Sequence, residues 1–189
     1  MQIDDDIESC IKVLNEGGLI LYPTDTIWGI GCDATNETAV ARIYHLKKRN
    51  ENKTMIILVA DEQDIVNYTD QKNLSIFDYI KGVQNPVTVI YNNAKNLAGN
   101  LINTDGSIGI RIVKDDFCEK LIRKFGKPIV STSSNISGYP PPAFFSDIDI
   151  NILHEVDYVV WHRREEEVPG KPSTVIKINQ DGTYFIIRP

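Results

Sequence analysis

The chain alternates between short apolar runs and longer segments whose apolar residues have helical spacing. Ile7, Ile11 and Leu14 fall on one helical face, which predicts a first helix from Asp6 to Gly18. The apolar run 19–22 stops at Pro23 and predicts a buried strand. The same patterns predict strands at 55–60, 87–91, 107–113, 129–130, 158–162, 173–178 and 184–188, a helix capped at Thr35 or Asn36, and helices over 61–83, 115–125 and 147–155.

These predicted strands and helices mix without strict alternation. The sequence contains no internal repeat, low-complexity tract or linker. This pattern favours the α/β class, with one domain over 1–189 built on a twisted mixed sheet with flanking helices, over a purely doubly wound fold.

Composition is typical of a soluble globular protein: 189 residues, 42 % hydrophobic and 24 % charged. No run approaches the roughly 20 apolar residues that span a membrane. The first residues are acidic, unlike a signal or transit peptide. We therefore expect a cytoplasmic protein with no membrane attachment.

The net charge of −6 argues against nucleic-acid binding as the main task, so any anion site must be a local pocket. Cys10, Cys32 and Cys118 are widely spaced and predict buried reduced thiols rather than disulfides or a zinc site. The three histidines show no metal-ligand spacing either. We expect no protein-bound metal.

The cation cluster Lys47, Lys48 and Arg49 closes a predicted helix. Cations at a helix C-terminus complement its dipole, which is the plain interpretation. Lys47, however, shares the apolar face of Val40, Ile43 and Tyr44, so its ammonium must find an anion or extend to water. Arg49 follows the helix, where a guanidinium is able to bind phosphate. Both interpretations stay open.

A second polar cluster, Ser131 to Asn135, follows a predicted buried strand. A surface turn is one interpretation. The other is a ligand site, because strand ends that border a cleft in open α/β sheets carry binding groups. Arg111 alternates with isoleucines, and facing inward it would need an anion, whereas facing outward it would not. The phosphate-loop, dinucleotide-binding and serine-hydrolase motifs are missing from the sequence, so the residues alone indicate a pocket for a small anionic or phosphorylated ligand.

Seven motifs in order carry a resemblance to a known family. They are YPTDTIWGIGCDA (22–34), Lys47-x-Arg49, PVT (86–88), IGIRI (108–112), STSSNxSG (131–138), STV (173–175) and IIR (186–188). Together they resemble the YrdC-type family of L-threonylcarbamoyladenylate synthases, in its short single-domain form. The resemblance implies a twisted α/β sheet around a concave, positively charged cavity.

The resemblance also implies the reaction. The family forms threonylcarbamoyl-AMP and pyrophosphate from L-threonine, bicarbonate and ATP, with Mg²⁺ arriving on ATP. A tRNA-modifying transferase complex then receives the product and modifies the adenosine beside the anticodon. Direct tRNA binding by this chain is expected to be weak or absent.

Site residues are implied by the same motifs. Lys47 and Arg49 would be catalytic and would bind the ATP phosphates. The ATP site would be completed by Ser107, Ser133, Asn135 and Arg188. L-Threonine would be surrounded by Thr24, Thr26, Arg111, Ser131 and Thr174, with Arg111 on its carboxylate.

The sequence departs from the family pattern at several positions: Trp28 replaces Tyr, Asn50 and Thr54 replace prolines, 84–86 replaces Pro-Gly-Pro, and Pro141 replaces a serine. One alternative is a non-catalytic RNA-binding module that uses the same basic cavity. Another is the carbamoyl-adenylating domain of hydrogenase maturation proteins, which are larger and carry cysteine-rich zinc segments.

Overall fold

The computed structural model describes residues 3–50, 53, 55–70, 75–179, 181 and 183–189. Its helices are α1 (Ile3–Asn15), α2 (Glu37–Leu46), α3 (Ile65–Tyr68), α4 (Ser75–Gly82), α5 (Asp116–Phe125) and α6 (Ile150–Glu155). Its strands are β1 (Ile20–Tyr22), β2 (Gly29–Gly31), β3 (Ile56–Val59), β4 (Val87–Tyr91), β5 (Ile108–Ile112), β6 (Ile129–Ser133), β7 (Tyr158–Val159), β8 (Thr174–Ile178) and β9 (Tyr184–Arg188).

The strands form a sheet in the order β7-β1-β2-β6-β3-β5-β4-β8-β9. Three neighbouring pairs are parallel (β1–β7, β3–β5 and β4–β8), and the other five are antiparallel. The prediction of an α/β fold with a mixed sheet and flanking helices is confirmed.

Helix boundaries follow local capping signals. The Asn36 side chain accepts from the Ala39 N–H at the start of α2. Asp115 does the same for Cys118 at the start of α5, and Gly126 ends that helix in the left-handed conformation, with φ of 75°. The first helix lies three residues earlier than predicted, at Ile3–Asn15.

The continuous helix predicted over 61–83 is wrong. The structure has a short 3₁₀ turn at Glu62–Asp64 and a single α-helical turn, α3, that ends where Thr69 adopts an extended backbone. Residues 71–74 lie outside the described part of the chain, and α4 follows. The strand predicted over 158–162 is also shorter: it ends at Val159, and the chain turns over residues 162–165.

The hydrophobic core contains apolar side chains from α1, α2, α5 and the central strands. Cys10, Cys32 and Cys118 are buried free thiols, and burial raises the pKa of each above its usual range.

Within the described ranges, every helix is too short or too polar to cross a bilayer.

The sheet register brings the polar motifs together. Arg111 on β5 lies opposite Leu58 of β3 and Thr88 of β4. On β6, Ser131 lies opposite Ile56 and Ser133 opposite Gly29. Segments far apart in sequence therefore meet near the middle of the sheet.

Candidate active site

A cavity of about 460 Å³ lies at this meeting point. Its size is within the range of small-molecule sites. Six of its polar side chains carry hydroxyl groups, namely Thr26, Thr88, Ser131, Thr132, Ser133 and Ser173. Its apolar wall consists of Ile27, Met55, Ile56, Ile90 and Val175.

Three guanidinium groups give the cavity its charge. Arg49, Arg111 and Arg188 line it, and none of the described residues in its wall is acidic. A protein with net charge −6 thus concentrates cations at one concave place. Such a site attracts anions locally.

Arg111 faces inward and is 3 % exposed. Its Nη2 lies 3.0 Å from Asp25 Oδ1 and 3.4 Å from Thr24 Oγ1. Arg111 Nε is buried and has no hydrogen-bond partner. The inward interpretation of Arg111 is confirmed, and an internal carboxylate supplies part of the anionic partner it requires.

The loop of Thr24, Asp25 and Thr26 is tightly bonded. The hydroxyl oxygens of Thr24 and Thr26 are 2.8 Å apart, and the Thr24 hydroxyl also donates to the Ile27 carbonyl over 2.8 Å. Thr26 lines the cavity, whereas Thr24 lies directly behind it. Trp28 follows the loop and packs on Phe145, with ring centroids 4.8 Å apart.

Lys47 is 1 % exposed at the C-terminal end of α2, which confirms its inward placement. Its ammonium donates to the main-chain carbonyls of Ser133 and Asn135, the second over 2.6 Å. Burial, and secondarily the charge of Arg49, lower the pKa of Lys47 to about 7. Lys47 therefore supports the cavity wall from behind rather than lining it.

Arg49 lies in the wall, just after α2. Its Nε donates to the Lys53 carbonyl over 2.6 Å. Burial lowers the pKa of Arg49 below its ordinary value, an effect that a bound anion would reverse.

On the opposite side, β4, β8 and β9 supply a second hydrogen-bonded group. The hydroxyls of Thr88 and Ser173 are 2.8 Å apart and buried. Arg188 donates to the Ser173 carbonyl from Nε over 3.2 Å and from Nη2 over 2.8 Å. This arrangement fixes the guanidinium of Arg188 at the cavity edge.

The structure brings six of the predicted site residues into the cavity wall: Thr26, Arg49, Arg111, Ser131, Ser133 and Arg188. The other five, Thr24, Lys47, Ser107, Asn135 and Thr174, lie outside the wall. Ser107 is buried and bonds to Asp105 over 2.5 Å. Asn135 donates to the carbonyls of Ile136 and Tyr139, while its Oδ1 is buried without a partner.

Some wall residues were not predicted. Ser173 rather than Thr174 lines the cavity, in keeping with the alternation of side chains along β8, since Val175 also lines it. Thr88 belongs to the PVT motif (86–88), and this motif could have identified it as a site residue. Asn103 had no sequence signal. Pro141 does line the cavity, Asn50 is exposed, and Thr54 lies outside the described residues.

The part of the chain that the structure describes contains no cluster of three or more His, Cys, Asp or Glu side chains arranged for a metal ion. Hydroxyl and guanidinium groups make up most of the polar part of the wall. Such a wall suits an anion far better than a bare cation.

Comparison with known proteins assigns the class. The sequence profile of the Sua5/YciO/YrdC family, described under "Telomere recombination", matches residues 12–189. The chain belongs to this family.

A threonylcarbamoyl-AMP synthase of Escherichia coli O6:H1 is 36 % identical over 143 residues, which cover 72 % of this chain and 74 % of that protein. Among solved structures, Pyrococcus abyssi Sua5 complexed with L-threonine matches with a TM-score of 0.85 and 22 % identity, over 100 % of this chain and 55 % of the Sua5 chain. Escherichia coli YciO matches with a TM-score of 0.83 and 22 % identity, over 99 % of this chain and 89 % of YciO. The two structures share the fold.

Proposed function

We propose that this protein is a threonylcarbamoyl-AMP synthase, a nucleotidyltransferase that joins L-threonine, bicarbonate and ATP. The observation that carries the proposal is one cavity in which three arginines meet a wall of hydroxyl groups, with no acidic side chain among its described lining residues. Such a cavity suits the substrates of this reaction, because each of them carries a negatively charged group: the triphosphate of ATP, the carboxylate of threonine and bicarbonate itself. The name of the 36 % identical relative supports the same reaction.

The threonine half of the site would be the wall around Arg111. Its guanidinium would bind the substrate carboxylate, since guanidinium–carboxylate pairs combine charge with directed hydrogen bonds. Thr26 and Ser131 line the same wall and would orient the amino acid. Thr24 and Thr174 would support this half without lining it.

The ATP half would include Arg49, Ser133 and Arg188, all of which line the cavity. Arg49 and Arg188 would bind phosphate oxygens. Lys47 would act with Arg49 on the phosphates once its ammonium exchanges a carbonyl for a phosphate oxygen. Ser107 and Asn135 would be outer contacts, and the buried Oδ1 of Asn135 has no hydrogen-bond donor among the described residues.

The reaction needs no covalent enzyme intermediate. The threonine amine attacks the bicarbonate carbon, and loss of water gives a carbamate. A carbamate oxygen then attacks the α-phosphorus of ATP, the bond to the bridging oxygen breaks, and pyrophosphate leaves. The enzyme would contribute positioning and stabilisation of negative charge by the arginines.

Mg²⁺ would arrive bound to the ATP phosphates and add positive charge there. The cavity wall fits this arrangement because its residues are suited to phosphate oxygens rather than to a resident metal. We place the protein in the cytoplasm as one domain over 1–189, where a tRNA-modifying transferase complex would receive the product. Its net charge of −6 favours weak or no direct tRNA binding.

Pyrophosphate release tests the proposal. The protein is incubated with ATP, bicarbonate and L-threonine, each is omitted in turn, and no tRNA is added. We expect release only with all three substrates, and a loss of about 100-fold or more in Arg49→Ala. Arg123→Ala is the matched control, because Arg123 is exposed and pairs with Glu119 and Asp61.

Turnover that ignores threonine would overturn the synthase assignment. Absent turnover together with tRNA binding would instead favour the alternative of a non-catalytic RNA-binding module.

A further inference from the structure

Asp25 lies behind Arg111, outside the cavity wall. The two side chains are 5 % and 4 % exposed, and their charged atoms are 3.0 Å apart. Asp25 Oδ2 accepts from the Lys114 N–H over 3.1 Å. The carboxylate is thus fixed to the backbone on one side and faces the guanidinium on the other.

The contact between Asp25 and Arg111 is an ion pair rather than an aligned hydrogen bond, since Asp25 Oδ1 has no hydrogen-bond donor in satisfactory geometry. Arg111 Nε is likewise buried without an acceptor. An unsatisfied buried N–H is unfavourable, so the observed orientation of Arg111 is not the one that maximises its own hydrogen bonds. Charge attraction to Asp25 at 3.0 Å favours this orientation, together with the longer contact of Nη2 to Thr24 Oγ1 at 3.4 Å.

The loop that carries Asp25 is held from outside. Arg163 Nη1 donates to the Thr24 carbonyl over 3.2 Å and pairs with Asp115 at 2.8 Å. Gly170 packs so closely that a Cβ there would lie 1.7 Å from the Thr26 carbonyl oxygen. These contacts restrict movement of the loop. If the Arg111 side chain changes its orientation, Asp25 cannot readily move with it, so Asp25 is the fixed member of the pair.

We infer that Asp25 is a positioning residue, which holds the Arg111 guanidinium in the orientation that recognises a substrate carboxylate. It engages one arm of the guanidinium from behind and leaves the cavity side of the group for the ligand. Asp25 also offsets the cost of burying the Arg111 charge before a ligand arrives. This inference rests on the proposed function and extends it to substrate selection: the site would select amino acids with a free carboxylate over their amides.

The test compares L-threonine with L-threoninamide, which lacks the carboxylate. Asp25→Asn keeps the size of the side chain and removes its charge. We expect the ratio of kcat/KM for threonine to that for threoninamide to fall about 10-fold or more, mainly through the KM for threonine, because small misplacements of a binding group have large effects. The KM for ATP is expected to stay within about twofold.

Asp33→Asn is the matched control, since Asp33 is also buried and paired, but its partner Lys127, at 2.7 Å, lies outside the cavity wall, whereas Arg111 lines it. A merely structural role of Asp25 would lower activity on both substrates alike and leave their ratio unchanged. If Asp25→Asn does not fold, Asp25→Glu keeps the charge, displaces it by about one methylene and is expected to lower the ratio as well.

An unchanged ratio in a folded, active Asp25 variant would overturn the positioning role and leave the synthase assignment intact. Wild-type protein that needs no threonine for pyrophosphate release would overturn both. The two failures are therefore distinguishable.

Discussion

The ammonium of Lys47 lies 2.6 Å from the main-chain carbonyl oxygen of Asn135, 88 positions further along the chain. It also donates to the Ser133 carbonyl. In addition, the Ser137 N–H donates to the Lys47 carbonyl over 2.8 Å. One residue thus joins the end of α2 to the polar segment after β6, and both flank the proposed phosphate site.

Substitution of Lys47 by methionine is expected to affect activity far more than stability. Two buried carbonyls lose a donor, which destabilises the fold, but a desolvated cation is removed, which stabilises it. We expect turnover to fall about 100-fold or more. We expect the free energy of unfolding near pH 7 to change by about 1 kcal/mol or less, measured by denaturant titration.

Lys48→Met is the control for this substitution, because Lys48 is the adjacent lysine and is exposed. A Lys47→Met protein that is largely unfolded, with its folded fraction fully active, would show that Lys47 is only structural.

The buried ammonium of Lys47 also predicts a pH dependence of stability. Its folded pKa is about 7, below the ordinary value of 10.5, so between these values the unfolded chain binds more protons than the folded one. The free energy of unfolding of the wild type, relative to Lys47→Met, should therefore rise with pH. Denaturant titrations near pH 7 and near pH 9 should differ by about 2 kcal/mol in this quantity.

A relative stability that falls over the same pH interval would contradict this prediction. It would mean that the two carbonyls favour the charged amine more strongly than burial disfavours it.

The hydroxyl pair of Thr88 and Ser173 should behave as one unit. Their oxygens are 2.8 Å apart and both residues are buried, so Thr88→Val or Ser173→Ala leaves one hydroxyl unsatisfied. The double variant removes both groups. We expect a coupling energy of about 1 kcal/mol in a double-mutant cycle on unfolding free energy, and additive effects would show that the two do not interact.

Gly170→Ala should disturb the loop at Thr26. The added Cβ would lie 1.7 Å from a backbone oxygen, so one of the two segments must move. We expect a loss of about 1–3 kcal/mol in unfolding free energy and a larger rise in the KM for threonine than in that for ATP. Gly82→Ala is the control, because a Cβ there meets nothing within 4 Å, and a loss of similar size in it would indicate a non-specific cause.

Local sequence patterns predicted the fold class because it depends on periodicity, whereas the site residues were implied by the resemblance of seven motifs to a known family. Lys47 follows the spacing of the apolar face of α2, so it could be placed inward from sequence alone. For Arg111, alternation with isoleucines left both orientations open, and the structure shows the inward one. The prediction of one helix over 61–83 was wrong because the apolar spacing continues across Thr69, although the backbone becomes extended at that residue.

The partners of the inward charges were beyond prediction. Asp25 and Arg111 are brought together by the pairing of distant strands, and no local pattern in a single sequence encodes such a contact. The carbonyl partners of Lys47 are backbone atoms and carry no residue signature at all. Whether Ser173 or Thr174 lines the cavity depends on which face of β8 is turned toward it, and the sequence alone does not determine that face.

The position of Arg188 couples ligand occupancy to the outermost strand. β9 pairs only with β8 among the described strands, and its residues 184–188 are all exposed. A strand so placed opens by local fluctuation at low free energy, and each opening withdraws one of the three guanidiniums from the cavity. By thermodynamic linkage, an anion bound to Arg188 must suppress those openings. The amide hydrogens of β9 should then exchange with solvent more slowly when ATP is present. The exchange rate of this edge strand would therefore report whether the cavity is occupied.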